Sequence, residues 1–330
     1  MQYRIFGKLG WRVSEIGFGA WAIGGDMWGA QDDCESVRAL QRALDLGVNF
    51  IDTAQGYGKG HSEELIGQVL RERKEEIYVA TKIPPVPGTQ WPPPDNQKAT
   101  QSFPGKYIIE QCEGSLKRLR RDYIDVYQFH TWATAFNAED EWFEAICRLK
   151  QEGKIRASGV SVPDTAPDDV IGSLAKGRID AVQVIYNIFE QYPNWNLFPV
   201  SARLETALII RVPFDEGALT GKFKNDTVFP AGDIRQCYFR GKNLPAVIKR
   251  VEKIKNYKNI KYPEMSMPEF ALRFCLSNPA VTTVIPGIRS VQQSELNSAV
   301  SDGKLLPEEI IKDMEQFQWR KDFWHEEVDL

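Results

Sequence analysis

Eight short apolar runs recur along the chain, at 16–19, 48–51, 77–82, 124–129, 155–161, 181–186, 207–212 and 281–285. Continuous apolar runs of this length suit strands buried on both faces. Helical patterns follow most of them, at 34–46, 62–70, 107–119, 139–151, 167–175, 196–204 and 291–300. Some carry start signals, such as Ser62 followed by Glu63 and Glu64 in the first turn. Strands alternating with helices predict right-handed βαβ units and a parallel sheet. Eight of them predict an α/β fold, a closed (β/α)8 TIM barrel. No composition shift marks a second domain, so residues 1–330 read as one.

Three stretches break the repeat. Residues 3–15 read as an N-terminal hairpin across Gly7–Gly10 that plugs the barrel floor. Residues 84–105 are too rich in proline for a helix or a central strand. Residues 213–245 read as a long loop after the seventh run; loops beyond about 12–15 residues are usually functional or disordered. Both long loops follow strands, on the barrel face where active sites sit. Extra helices are expected at 268–277 and 307–318, outside the repeat. "GFGAWA" at 17–22 matches a loose dinucleotide fingerprint, but a Gly- and Trp-rich loop follows it instead of a helix.

Bulk composition removes several classes of function. The 330 residues, 42% of them hydrophobic, are enough for a large core. A net charge of −4 argues against a nucleic-acid partner. No apolar span reaches membrane length, and the first residues lack the apolar segment of a signal peptide. Five scattered cysteines without a CxxC pair fit reduced thiols, no zinc site and a cytoplasmic protein. With only three histidines, a His-rich metal centre is not expected.

The chemistry gathers at consecutive strand ends. Asp52 ends the second run, Lys82 the third and His130 the fourth; Tyr57 lies in the Gly-rich loop after the second. Each has a plain structural reading: a snorkelling lysine, a core histidine, a turn tyrosine, a turn-capping aspartate. Together they fall on one rim of the barrel. A free phenol titrates near ~10, and an adjacent ammonium pulls that value down. A carboxylate beside the ammonium keeps it charged, and a histidine can orient a carbonyl oxygen. The set suits protonation of a carbonyl oxygen while hydride reaches carbon, and the hydride must come from a cofactor.

At this point "DTAQGYGKGHSEELIGQVL" (52–70) closely resembles the signature of the aldo-keto reductase superfamily. The resemblance runs from "IGFGAW" (16–21) to "VIPGIRSVQQSELN" (284–297). It implies a barrel that reduces carbonyls with a nicotinamide cofactor, NADPH in preference to NADH, without metal. Tyr57 would be the general acid, tuned by Lys82 and Asp52, with His130 orienting the substrate carbonyl. Ser161 and Gln183 would hold the nicotinamide carboxamide, although Val162 replaces the usual asparagine. Arg211-Val212-Pro213-Phe214 stands where the family has a Tyr-Ser-Pro-Leu stretch. Arg211 would be either a structural ion pair or a contact to a cofactor phosphate or an anionic substrate group. Trp21 also falls among the cofactor positions. Lys222, in "EGALTGKF", would meet the pyrophosphate, and Arg235 would help clamp it. Gly287, Arg289, Gln293 and Asn297 match the adenosine site, with Leu296 in place of a usual glutamate. Arg289 would pair with a 2′-phosphate, and Ser290 would add a hydroxyl.

Trp21, Trp28, Trp91 and Trp132 lie in loops over the expected mouth, where indole faces suit a sugar ring or an aromatic aldehyde. The expected partner is therefore a small carbonyl or sugar-like molecule; oligomeric state is not legible. The alternative is a redox-sensing or regulatory barrel that binds NADPH with little turnover. A lyase or isomerase barrel would leave the Asp–Tyr–Lys–His set without a purpose.

Overall fold

The computed structural model of the chain describes residues 1–327. Strand β1 (Tyr3–Phe6) pairs antiparallel with β2 (Trp11–Ser14), Phe6 opposite Trp11. The turn passes through Gly7 at φ 49°, where a Cβ would lie 2.3 Å from the Glu205 carbonyl oxygen. Phe6 and Val13 enter the barrel floor beside Ala80, Ala157, Ala181 and Ala207. Small residues on four strands leave the room that the two plug side chains fill.

The repeat then runs β3 (Phe18–Gly19), α1 (Asp33–Asp45), β4 (Phe50–Asp52), α2 (His61–Leu70), β5 (Tyr78–Ile83) and the short α3 (Ala99–Ser102). It continues with α4 (Gly105–Leu119), β6 (Ile124–Phe129), α5 (Glu141–Gln151), β7 (Ile155–Ser161), α6 (Ile171–Ala175), β8 (Ala181–Ile185), α7 (Leu197–Arg203) and β9 (Ala207–Arg211). After α8 (Arg235–Tyr238), α9 (Asn243–Lys261) and α10 (Met267–Leu276) come β10 (Thr283–Val284), α11 (Val291–Ala299) and α12 (Glu308–Met314). Strands β3 to β10 form one parallel sheet in chain order. Bridges Ile16–Val284 and Gly19–Gly287 join its first and last members, with the Gly17 N–H donating to the Val284 carbonyl at 2.8 Å. The eight runs are therefore the eight barrel strands.

Three points differ from the sequence reading. Residues 84–105, read as too rich in proline for a helix, hold the four-residue α3, which falls in the proline-free stretch 95–103. The 167–175 helix opens as a 3-10 turn, Pro167–Val170, before α6. The 213–245 segment ends in α9, a helix of 19 residues that the pattern reading did not place. Its buried face is Leu244, Val247, Val251 and Ile254, at spacings of three and four, and Pro245 sits in the first turn where its missing N–H costs nothing. Among the described residues no helix is long and apolar enough to cross a membrane.

Candidate active site

Parallel strands bring their C-terminal residues to one rim, and the pleat decides which point inward. Asp52 at the end of β4 and Lys82 in β5 meet there as a buried pair, Lys82 Nζ donating to Asp52 Oδ2 at 2.6 Å. The same ammonium donates to the Thr53 carbonyl at 2.9 Å and to the Tyr57 hydroxyl at 2.9 Å. All three of its N–H bonds are thus used. The other Asp52 oxygen accepts from Gln183 Nε2 at 2.6 Å and Gln128 Nε2 at 3.1 Å. Burial works against the Lys82 charge, but Asp52 and Tyr57 more than offset it, so its pKa is raised.

Tyr57 is held from several sides. The Trp21 ring stacks on it at 5.8 Å and the His130 ring meets it edge-on at 5.7 Å. The loop behind it needs glycine: Gly58 sits at φ 60°, and a Cβ there would lie 2.2 Å from the Gly24 carbonyl oxygen. Burial raises the Tyr57 hydroxyl, Lys82 pulls it down and Asp52 adds to the rise. The sequence reading expected the ammonium to lower this group; its pull is present, but burial outweighs it. A phenol so held keeps its proton until an acceptor arrives, which suits an acid.

His130 follows β6 directly. Burial drives its pKa well below the ordinary value, and the charges of Lys82 and Arg211 add to that. The ring is neutral at physiological pH, able to donate one hydrogen bond to a carbonyl oxygen. Kinetic pH profiles should therefore show no inflection near 6.5 from this group. An inflection there that disappears in His130→Gln would overturn the assignment.

Much of the rest of the 52–70 stretch is scaffold, although Gly56 lines the cleft described below. Thr53 and Ser62 share a hydrogen bond at 2.8 Å, and Ser62 donates to the Ala20 carbonyl at 3.0 Å. Glu63 is fully buried; it accepts from Thr81 at 2.6 Å and pairs with Arg118 at 2.6 Å. These bonds fix α2 against the strands that carry Asp52 and Lys82.

A cleft of about 1510 Å³ runs along this rim. That exceeds the ~300–1,000 Å³ of ordinary small-ligand sites. Asp52, Tyr57 and His130 line it, with Lys82 buried beneath them. Of the cofactor positions expected from the resemblance, all but Ser290 line it too: Trp21, Ser161, Gln183, Arg211, Val212, Pro213, Phe214, Lys222, Arg235, Gly287, Arg289, Gln293 and Asn297. The donor set fits an elongated, phosphate-bearing nicotinamide dinucleotide, with the cations Arg211, Lys222, Arg235 and Arg289 among the lining residues.

Several of these side chains also have partners within the protein. Gln183 gives its amide N–H to Asp52, leaving its carbonyl end for a ligand. Arg235 pairs with Asp233 at 2.6 Å and lies over the Trp28 ring at 5.0 Å. Arg289 ties down the loop before α1, donating to Gln31 Oε1 at 2.8 Å and to the Trp28 and Ala30 carbonyls at 3.1 Å. Gln293 accepts from the Arg289 backbone N–H at 2.7 Å, and Ser290 caps α11. Arg211 does form the ion pair left open by the sequence, with Asp164 at 2.6 Å, and also donates to the Val162 carbonyl at 3.0 Å. It nevertheless lines the cleft and acts electrostatically on both Tyr57 and His130. Trp132 does not stand over the mouth: it is 1% exposed and packs edge-on against Phe129, Phe136 and Trp142. Trp91 does, its ring 5.0 Å from that of His130.

The sequence reading missed Gln128, whose signal was a lone amide in an apolar strand, opposite Lys82 in register. It also missed the C-terminal residues Asp322, Trp324 and His325, which line the cleft from a segment without periodic pattern.

Comparison with known proteins agrees with this geometry. A model of the aldo/keto reductase family matches residues 15–318. Aldo-keto reductase YhdN of Bacillus subtilis is 31% identical over 313 residues, covering 94% of this chain and 91% of that protein. A probable voltage-gated potassium channel subunit beta of Oryza sativa is 32% identical over 330 residues, 96% of each chain. The structure of glycerol dehydrogenase AKR11B4 from Gluconobacter oxydans superposes with a TM-score of 0.78 at 30% identity, covering 96% of this chain and 94% of the other. With the match spanning nearly its whole length, the chain belongs to the aldo/keto reductase family and is an oxidoreductase of that family.

Proposed function

We propose that this protein reduces the aldehyde or ketone group of a small, sugar-like molecule to an alcohol, using NADPH. The observation that carries the reading is the Lys82 ammonium shared between Asp52 and the Tyr57 hydroxyl. A bound reduced nicotinamide would supply the hydride. Tyr57 gives its proton to the carbonyl oxygen, and Lys82 stabilises the phenolate left behind. Asp52 keeps Lys82 charged and in place. His130, neutral, donates to the same oxygen and orients it. Ser161 and Gln183 would hold the carboxamide, with Trp21, Arg211, Val212, Pro213 and Phe214 around the nicotinamide end. Lys222 and Arg235 would meet the pyrophosphate, and Gly287, Arg289, Gln293 and Asn297 the adenosine end. Trp28 and Trp91 offer ring faces to a polyol, and the similarity to a glycerol dehydrogenase supports that substrate class.

The test is a titration with NADPH and NADH followed by nicotinamide fluorescence, then turnover of small aldehydes and trioses. Tight NADPH binding with turnover is expected; no binding of either cofactor would sink the reading. Arg289→Ala sharpens it. Loss of a charged hydrogen bond costs about 1.5–3 kcal/mol, so NADPH affinity should fall at least tenfold while NADH changes little. Equal weakening of both would mean that Arg289 serves only the loop it ties.

A second reading rests on the similarity to a potassium channel β subunit. A barrel of that kind would bind NADPH tightly and turn over so slowly that occupancy, not flux, is its output. Single-turnover and steady-state rates on one preparation separate the two.

A further inference from the structure

The cleft wall after β9 carries a carboxyl that the proposed reaction does not use. Glu216 lines the cleft and is 8% exposed. The titratable and charged groups that face it are Asp215 of its own loop, Arg235 and the Tyr238 phenol of α8, Asp164 after β7, and Arg211 at the end of β9. The C-terminal segment brings Lys321 to the same cluster, through Asp215. Each cation there is already matched: Arg211 with Asp164 at 2.6 Å, Arg235 with Asp233 at 2.6 Å, and Lys321 with Asp215 at 2.6 Å. Nearby on the cleft, Asp322 and His325 pair with each other at 2.7 Å. A further carboxyl near Lys321, Glu190, accepts from the Tyr192 backbone N–H at 3.3 Å. With each of these cations matched, Glu216 is left over. Among the described residues no hydrogen bond or ion pair holds its carboxyl.

A leftover buried carboxyl keeps its proton, because nothing compensates the charge it would gain. Burial, with Asp215 and Asp164 adding to it, pushes Glu216 up to about 8 against the pull of Arg211 and Arg235. At neutral pH it is therefore mostly an O–H donor, without an acceptor among the described residues.

Its placement is not incidental. Asp215 (φ 49°), Glu216 (φ 53°) and the β-branched Val212 (φ 54°) all take left-handed backbone. That conformation is unfavourable for a residue with a Cβ, which there crowds the following carbonyl oxygen. Strain of this kind persists where surrounding contacts enforce it, often at functional sites. Here Asn187 Nδ2 donates to the Val212 carbonyl at 2.9 Å, and the buried Lys321 pair anchors Asp215. Six residues on, Lys222 lines the same cleft, and among the described residues its ammonium has no carboxylate partner. An unpaired cation and an unpaired donor on one wall suit one ligand chemistry, the oxygens of a phosphate.

We propose that Glu216 is a cofactor-binding residue that donates a hydrogen bond to a phosphate oxygen of the bound dinucleotide. The proposal rests on the reading that a nicotinamide dinucleotide lies in this cleft. Ionised, Glu216 sets a negative charge against the phosphate and competes for Lys222. The sign follows from the raised pKa: the protonated, binding form predominates below about pH 8 and is lost progressively as the pH rises through it.

The experiment is the NADPH dissociation constant, read by nicotinamide fluorescence from pH 7 to 9.5, for the wild type, Glu216→Gln and Glu216→Ala. The wild type should hold steady to about pH 8 and then weaken, by about tenfold at pH 9 to 9.5. Glu216→Gln keeps an N–H donor and cannot ionise, so it should match the wild type at pH 7 and stay within about threefold throughout. Glu216→Ala should be several-fold weaker at pH 7 and flat with pH. A Gln profile that tracks the wild type overturns the proposal. So does a pH effect confined to the KM of the carbonyl substrate with the NADPH constant flat, which would place the acceptor on the substrate. No binding of NADPH or NADH by any of the three at any pH overturns the reductase reading, and this proposal with it.

Discussion

Tyr57→Phe is expected to lower kcat for carbonyl reduction by about 10²–10⁴-fold, the range for removing a positioned general acid. The dissociation constant for NADPH should stay within about twofold. The reason lies in what the substitution removes. Phe retains the ring that stacks on Trp21 and meets His130, and only the hydroxyl is lost. Lys82 keeps Asp52 and the Thr53 carbonyl as acceptors, so the buried pair survives. The fold and the cofactor cleft have little cause to change. Steady-state kinetics and fluorescence titration on one preparation check both halves. If turnover falls less than tenfold, another group delivers the proton, and the neutral His130 is the one within reach. If binding falls with turnover, Tyr57 was holding the cofactor.

Most of the scaffold was legible because it rests on repetition. The eight strands are short runs buried on both faces, and each appears as an apolar run whatever its neighbours do. Asp52, Tyr57, Lys82 and His130 stood out because charged or polar groups at the ends of such runs need a reason. What escaped was set by tertiary context. Gln128 reads as a strand residue until Asp52 is seen to need a second amide donor. Trp132 and Trp91 look alike in sequence, yet one is core and the other stands over His130. The direction of the Tyr57 shift was misjudged because the pull of a neighbouring charge can be read from sequence while the depth of burial cannot. Glu216 is conspicuous only once Arg211, Arg235 and Lys321 are each found spoken for.

The largest effect on stability is expected from separating Lys82 and Asp52. Their side chains are 0% and 3% exposed, and among the described residues neither has another ion-pair partner. Asp52→Asn leaves an ammonium buried with only a carbonyl and a phenol. Breaking a buried pair by removing one partner costs about 3–5 kcal/mol, a drop in Tm on the order of 10 °C. Without the carboxylate, burial acts on Lys82 nearly unopposed, and the amine sheds its proton sooner than stay charged. Turnover should therefore collapse together with stability. Lys82→Met should cost less, because the Asp52 carboxylate still accepts from Gln183 and Gln128. The informative protein is the double variant, Asp52→Asn with Lys82→Met. It is neutral and nearly isosteric, and it keeps the oxygen that the two glutamines use. Replacing a buried pair outright is often neutral or stabilising, so its Tm should return to within a few degrees of the wild type. Its carbonyl reduction should remain lost. Thermal unfolding of the four proteins gives the coupling energy, and single-turnover rates show whether chemistry follows stability. A double variant that recovers both would mean that the pair serves the fold. Recovery of stability alone would mean that the barrel tolerates a costly buried charge because Tyr57 needs an ammonium beside it.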